Sequence, residues 1–203
     1  MTPEDHLSAK CPVMAALVAR YGRCPLPDMN YTPFETLAAS IIGQQLSVKA
    51  AATIEKRVRA IIGGALTPEG ILTAEPEALR ACGLSNAKVK YIRALADRVA
   101  AGTMDFDAMV VEPDNEVVIK ALVGSPGIGR WTAEMFLIFG LRRLDVLSLG
   151  DVGLQRAVRQ HFGEDETLAT LGLRWQPYRS IASWYLWQSL DAVPTASNPI
   201  ESK

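Results

Sequence analysis

Histidine and cysteine are scarce, with two His and three Cys in 203 residues. Cys11, Cys24 and Cys82 form no CxxC pair and have no histidine at ligand spacing. That argues against a zinc site, an iron–sulfur cluster and a disulfide framework. No apolar run approaches the roughly 18 residues of a membrane span. Met1 to Lys10 carries Glu4 and Asp5 in place of the basic start and apolar stretch of a signal peptide. The expectation is a reduced, cytoplasmic protein without a metal cofactor in its core. An excess of charge of one sign is also missing: 21 Lys and Arg stand against 22 Asp and Glu. A uniformly basic coat is excluded, and any anionic partner must be met by a local patch. Repeats and low-complexity tracts are absent, and alternating strand-like runs are few.

What is present is a half-apolar chain with helical periodicity along most of its length. Pro33 opens a helix over Phe34 to Gln44. Ser47 caps Val48 to Ile62, where Ala51, Ile54, Val58 and Ile61 share a face, and Gly63-Gly64 stops it. Pro68 and Pro76 open short helices. Ser85 caps a stretch with Val89, Ile92, Leu95 and Val99 inward and Lys88, Lys90, Arg93 and Arg98 outward. After Pro113 comes a helix through Val117, Val118, Ala121 and Leu122, and Arg130 to Leu141 is apolar enough to be central. Asp151 opens Val152 to Phe162, Pro177 opens a helix to Leu190, and Val193 to Lys203 reads as a frayed tail. The sum is an all-α bundle of roughly ten helices.

Charge is unevenly spread. Residues 41–103 hold nine Lys and Arg against five Asp and Glu, and residues 120–160 hold six against three. Residues 104–119 hold five acids and no base. One positive face with an acidic back, and ordinary solvated helix faces, both fit this pattern.

The most informative stretch is Pro126-Gly127-Ile128-Gly129-Arg130-Trp131-Thr132-Ala133. Two glycines in four residues allow positive φ and close backbone approach, and Gly129 leads straight into a helix whose first amides lack internal partners. Such a turn can hold a phosphate on amides and helix dipole with little help from Lys or Arg. It also fits a plain helix–helix turn. Gly150-Asp151, twenty-two residues after Gly129, reads either as an N-cap or as a carboxylate poised for chemistry.

The hairpin followed by Gly150-Asp151 resembles the helix-hairpin-helix DNA glycosylase superfamily, and within it the 3-methyladenine DNA glycosylase II branch. Ile41-Ile42-Gly43-Gln44-Gln45-Leu46-Ser47, Gly83-Leu84-Ser85-Asn86-Ala87-Lys88, and Pro177-Tyr178-Arg179-Ser180 running on to Trp187 match as well, covering about residues 33–190. The resemblance implies two helical lobes with an active-site cleft between them, in a compact form without the N-terminal β-rich region. One lobe spans 33–143 and carries the hairpin at 125–130. The other is built from 1–32 and 144–203, with Asp151 at the cleft.

By the same resemblance, Asp151 is the catalytic carboxylate, and Trp131, Trp187 and Met135 line the base pocket. Met135 stands where some relatives carry an aromatic. Pro126, Gly127, Ile128, Gly129 and Arg130 hold the DNA backbone, with a monovalent ion bridging the carbonyls of Gly127 and Gly129 to a phosphate. Gln45 or Leu46 fills the gap left by a flipped base, and Ser85 and Lys88 add phosphate contacts. The implied activity is hydrolytic release of 3-methyladenine and related methylated purines from duplex DNA, by a monomer at the nucleoid that needs no cofactor. Trp131 stands where strand-nicking relatives place a Schiff-base lysine, so no lyase activity is expected. The same fold acting on hypoxanthine, ethenoadenine or uracil, or a DNA-binding module without catalysis, are the alternatives.

Overall fold

A computed structural model of the chain describes residues 1–190, the side chain of Val48 aside. The expected fraying of Val193 to Lys203 lies outside the described residues. Among those residues every regular element is helical and no strand occurs. Helix α1 (Pro3–Lys10), α2 (Pro12–Tyr21) and α3 (Pro33–Gly43) each begin on proline, whose fixed φ and missing N–H suit a first turn. Ser47 caps α4 (Val48–Ile61), and proline again opens α5 (Pro68–Thr73) and α6 (Pro76–Ala81). Ser85 caps α7 (Asn86–Ala100).

The acidic stretch 104–119 contains two helix starts, one of them the helix expected after Pro113. Asp105 caps α8 (Phe106–Val111) and Asp114 caps α9 (Asn115–Val123), their carboxylates accepting backbone amides. Helix α10 (Arg130–Met135) passes into a π-helical segment, Phe136–Gly140, where one regular helix to Leu141 was expected. Gly140 lies so close to Phe136 that an added Cβ would sit 2.7 Å from the ring. After a long loop come α11 (Val152–Phe162), α12 (Leu168–Trp175) and α13 (Arg179–Ser189). The thirteen α-helices among the described residues exceed the sequence expectation chiefly through short pieces such as α8, whose six residues are too few for periodicity to reveal.

Helix α3 is buried along nearly its whole length and packs on α4, α7 and the π-helical segment. Helices α5 and α6 lie on α7, and α9 lies on α10. The chain's two ends form a second packing group: α1 on α2, α2 on α13, and α11, α12 and α13 on one another. One apolar core runs through both groups, with Phe139 and Trp187 rings meeting at 6.1 Å. The Tyr185 hydroxyl donates to the Gly22 carbonyl at 2.6 Å and ties α13 to the end of α2.

Two patterning expectations shift. Ile61, placed inward, is 46% exposed at the last position of α4. Of the cations placed outward on α7, only Lys90 is exposed. Arg93 donates to the Ala74 carbonyl at 2.7 Å, Arg98 to the Ser125 hydroxyl, and Lys88 to the end of α3. Their long stems cross apolar surface and their heads satisfy carbonyls where neighbouring elements end.

Candidate active site

Asp151 caps α11, and its carboxylate is nearly sealed at 2% exposure. Three N–H groups converge on it. Oδ1 accepts from the Leu154 amide at 2.7 Å and from Trp187 Nε1 at 3.1 Å. Oδ2 accepts from Trp131 Nε1 at 2.6 Å. An acceptor-only group held by three donors is a fitting use of a buried carboxylate. The oxygens are unequal, since Oδ1 has two donors and Oδ2 has one, leaving Oδ2 with lone-pair capacity. Of the donors' residues, Trp187 and Leu154 are fully buried and only Trp131 is partly exposed. Access to Oδ2 therefore runs past that indole.

Trp131 stands one residue inside α10, directly after the glycine turn, so the turn and the carboxylate are neighbours through a single side chain. In the turn Gly127 has φ of 83°, a region L side chains rarely enter. It also lies on the Tyr91 ring, where an added Cβ would come within 2.3 Å of Cδ2. Gly129 is the N-cap of α10 and supplies no side-chain cap, so the first amides of the helix keep their donors. Ser125 and Ile128 are buried beneath the turn, while Pro126 and Gly129 are exposed.

The other sequence-predicted residues fall in varied settings. Met135 is 3% exposed and packed in the core, one turn beyond Trp131. Gln45 is exposed at the tip of the α3–α4 turn with φ of 58°, a strained conformation for a residue with a Cβ, and Leu46 beside it is half-buried. Ser85 is engaged as the cap of α7, its hydroxyl accepting the Lys88 amide at 3.2 Å. Two cations expected near the strand make bonds within the protein. Lys88 does not reach for solvent phosphate: its ammonium donates to the carbonyls of Ile42 at 2.8 Å and Gln44 at 2.5 Å, and burial pulls its pKa below the ordinary lysine value. The Arg130 guanidinium, in the first turn after Gly129, is held between Glu116 and Glu134. The Glu116 carboxyl, bonded to that guanidinium, titrates below its ordinary value.

The ion expected on the carbonyls of Gly127 and Gly129 meets oxygens that already accept N–H donors. Gln44 Nε2 donates to Gly127 O at 2.7 Å, and the Ala133 amide donates to Gly129 O at 3.0 Å. Each oxygen accepts one donor and keeps a second lone pair.

Sequence reasoning missed four residues at the site. Gln44 ties the end of α3 to the glycine turn, and Tyr91 supports the turn from below. Glu134 and Ser148 bond to each other at 2.5 Å, and the Ser148 carbonyl accepts the Asp151 amide at 3.1 Å. The paired Gln44-Gln45 after a glycine was the only local hint, because the partners lie 14 to 83 residues away.

Residues 38–171 match the sequence model of the HhH-GPD superfamily base excision DNA repair proteins. Over 194 residues the chain is 30% identical to an alkylbase DNA glycosidase-like protein of Schizosaccharomyces pombe, mag2, covering 91% of each. The fold is similar to that of S. pombe 3-methyladenine DNA glycosylase Mag1 in complex with abasic DNA. There the TM-score is 0.81 at 32% identity, covering 94% of this chain and 97% of that one. A Bacillus halodurans DNA-3-methyladenine glycosidase gives a TM-score of 0.79 at 40% identity, over 93% and 89% of the two chains.

Proposed function

The chain belongs to the HhH-GPD superfamily of base excision DNA repair proteins, and from that premise we propose that it is a DNA glycosylase acting on alkylated bases. Its substrates on this reading are 3-methyladenine and related methylated purines in duplex DNA, released by hydrolysis of the N-glycosidic bond. The relatives named above as acting on alkylated bases or 3-methyladenine support the substrate class. The observation that carries the chemistry is the Asp151 carboxylate, held by two indoles beside an uncapped glycine turn.

The damaged nucleotide leaves the stack and its base enters past Trp131, between the two packing groups of helices. An N-alkylated purine carries positive charge, and the face of an indole is a favourable neighbour for such a ring. As the C1′–N bond breaks, its electron pair passes to the base and neutralises it, leaving the sugar with oxocarbenium character. Asp151 Oδ2 stabilises that cation, and water then adds to C1′, giving its proton to the carboxylate. A strong general acid is unnecessary because the leaving base is already cationic. The amides after Gly129 hold the strand, and exposed Gln45, in its strained backbone, occupies the vacated place in the helix.

No redox group is drawn on in this chemistry. Trp131 offers no amine for a Schiff base, so the strand is left intact after the base is released. The protein works as a monomer on damaged duplex DNA in the cytoplasm, at the nucleoid; among the described residues no helix is long and apolar enough to cross a membrane. The test is base release from methylated DNA by the wild type and by Asp151→Asn. Release by the wild type, falling by about a hundredfold or more in the variant, is expected for loss of a group acting in the transition state. Undiminished release by Asp151→Asn rejects the assignment, and strand cutting by the wild type at neutral pH rejects the monofunctional reading.

A further inference from the structure

Glu134 is a buried carboxylate that the chemistry above does not use. It is 6% exposed, and both its oxygens are engaged: Oε1 with Arg130 Nε at 2.9 Å and Oε2 with Ser148 Oγ at 2.5 Å. Ser148 is fully buried, and its carbonyl accepts the Asp151 amide, closing a turn that ends on the carboxylate. Trp131 lies three residues before Glu134 on α10 and so projects from the same side of that helix. One short helix therefore grips the 148–151 turn at two points, its start through Glu134 and its carboxylate through Trp131.

Burying a charge is costly unless it is paired and hydrogen-bonded, and a core of similar shape can be built without one. A carboxylate kept at this place has a geometric consequence. Its partner, Ser148, is fourteen residues away in sequence and belongs to the loop that delivers Asp151. The other end of α10 is the glycine turn. A shift of that turn is passed to both attachment points at once, without another element between them.

We infer that Glu134 is a positioning residue for the glycosylase reaction: acting through the Ser148 hydroxyl, it sets Asp151 in register with the strand-holding turn. This rests on the proposed function, but part of its test does not. The four tryptophans give four indole N–H resonances in a nitrogen–proton correlation spectrum, and Trp131→Phe identifies the one bonded to Asp151 Oδ2. Ser148→Ala and Glu134→Ala are each expected to move the Trp131 resonance upfield, reporting a longer bond to Oδ2. Each is also expected to slow single-turnover release of 3-methyladenine by about tenfold to a hundredfold, as a small misplacement does. Affinity for duplex DNA with an abasic-site analogue should stay unchanged.

Glu134→Gln keeps an oxygen facing the Ser148 hydroxyl and should restore both the resonance and most of the rate. An unmoved Trp131 resonance in a folded Ser148→Ala protein overturns the inference. So does a Glu134→Gln protein as impaired as Glu134→Ala, which assigns the effect to the Arg130 ion pair. Should the wild type release no base from methylated DNA, the proposed function fails, while the resonance shift still decides whether Glu134 positions Asp151.

Discussion

At Asp151 the chemistry depends on which donor serves which oxygen. Trp187 Nε1 and the Leu154 amide together fix Oδ1 and so hold the plane of the carboxylate, while Trp131 alone meets Oδ2. Trp187 is fully buried, and its ring also packs against Phe139. Trp187→Phe keeps most of that packing and deletes the donor. A hydrogen bond to a charged group is worth about 1.5–3 kcal/mol, so chemical denaturation should show a stability loss of that size. Base release should fall at the same time, because the carboxylate is freer to rotate. A variant as stable and active as the wild type would show that Leu154 suffices. That Asp151 caps a helix was legible from Gly150-Asp151 before an apolar-periodic run. That two indoles 20 and 36 residues away both point at it was not, because a tryptophan in a sequence does not reveal where its N–H is spent.

Among elements, the glycine turn is held from outside itself. Tyr91 of α7 lies under Gly127, Gln44 from the end of α3 donates to its carbonyl, and Lys88 of α7 caps the same end of α3. The three elements thus form one unit carrying both the turn and exposed Gln45. Gly127→Ala meets two obstacles, a Cβ overlapping the Tyr91 ring and a φ of 83°. A loss of about 1–3 kcal/mol from the backbone alone is expected, with binding to abasic-site DNA weakened as the turn shifts. Tyr91→Ala in the same chain should recover part of the stability and none of the backbone strain. Full binding by Gly127→Ala would show that the turn does not hold the strand. The turn itself was readable from Pro126-Gly127-Ile128-Gly129, whose glycines permit positive φ and close approach. Its supports were not, because Gln44 and Lys88 read equally well as solvated residues at helix ends.

For the whole molecule, the near-zero net charge and the strand-binding role agree once each cation is located. Arg59, Arg93, Arg98, Arg130 and Arg179 are spent on internal carboxylates or carbonyls. Lys10, Lys49, Lys56, Arg57, Lys90, Lys120, Arg156 and Arg159 are among the exposed cations, and Lys49 and Arg57 line a groove of about 390 Å³ beside the Gln45 turn. With the strand held chiefly by amides after Gly129 and by the few cations beside the Gln45 turn, affinity for abasic-site DNA should fall gently with salt. About three neutralised phosphates correspond to a log–log slope near −3. A slope of −6 or steeper would mean that the cations now bound internally let go of their partners and meet DNA.

Helix content, the proline and hydroxyl caps that begin the helices, the turn at 126–129 and the N-cap at 151 were all decided by the sequence. Each depends on neighbours within a few positions, where dihedral preference and amide capping operate. Tertiary packing alone decided that Lys88, Arg93 and Arg98 face inward, that Arg130 is shared by two carboxylates, and that Glu134 reaches Ser148. Those outcomes depend on which unpaired carbonyls and hydroxyls come within about 3 Å once distant segments meet, a distance set by hydrogen-bond geometry and not by spacing along the chain.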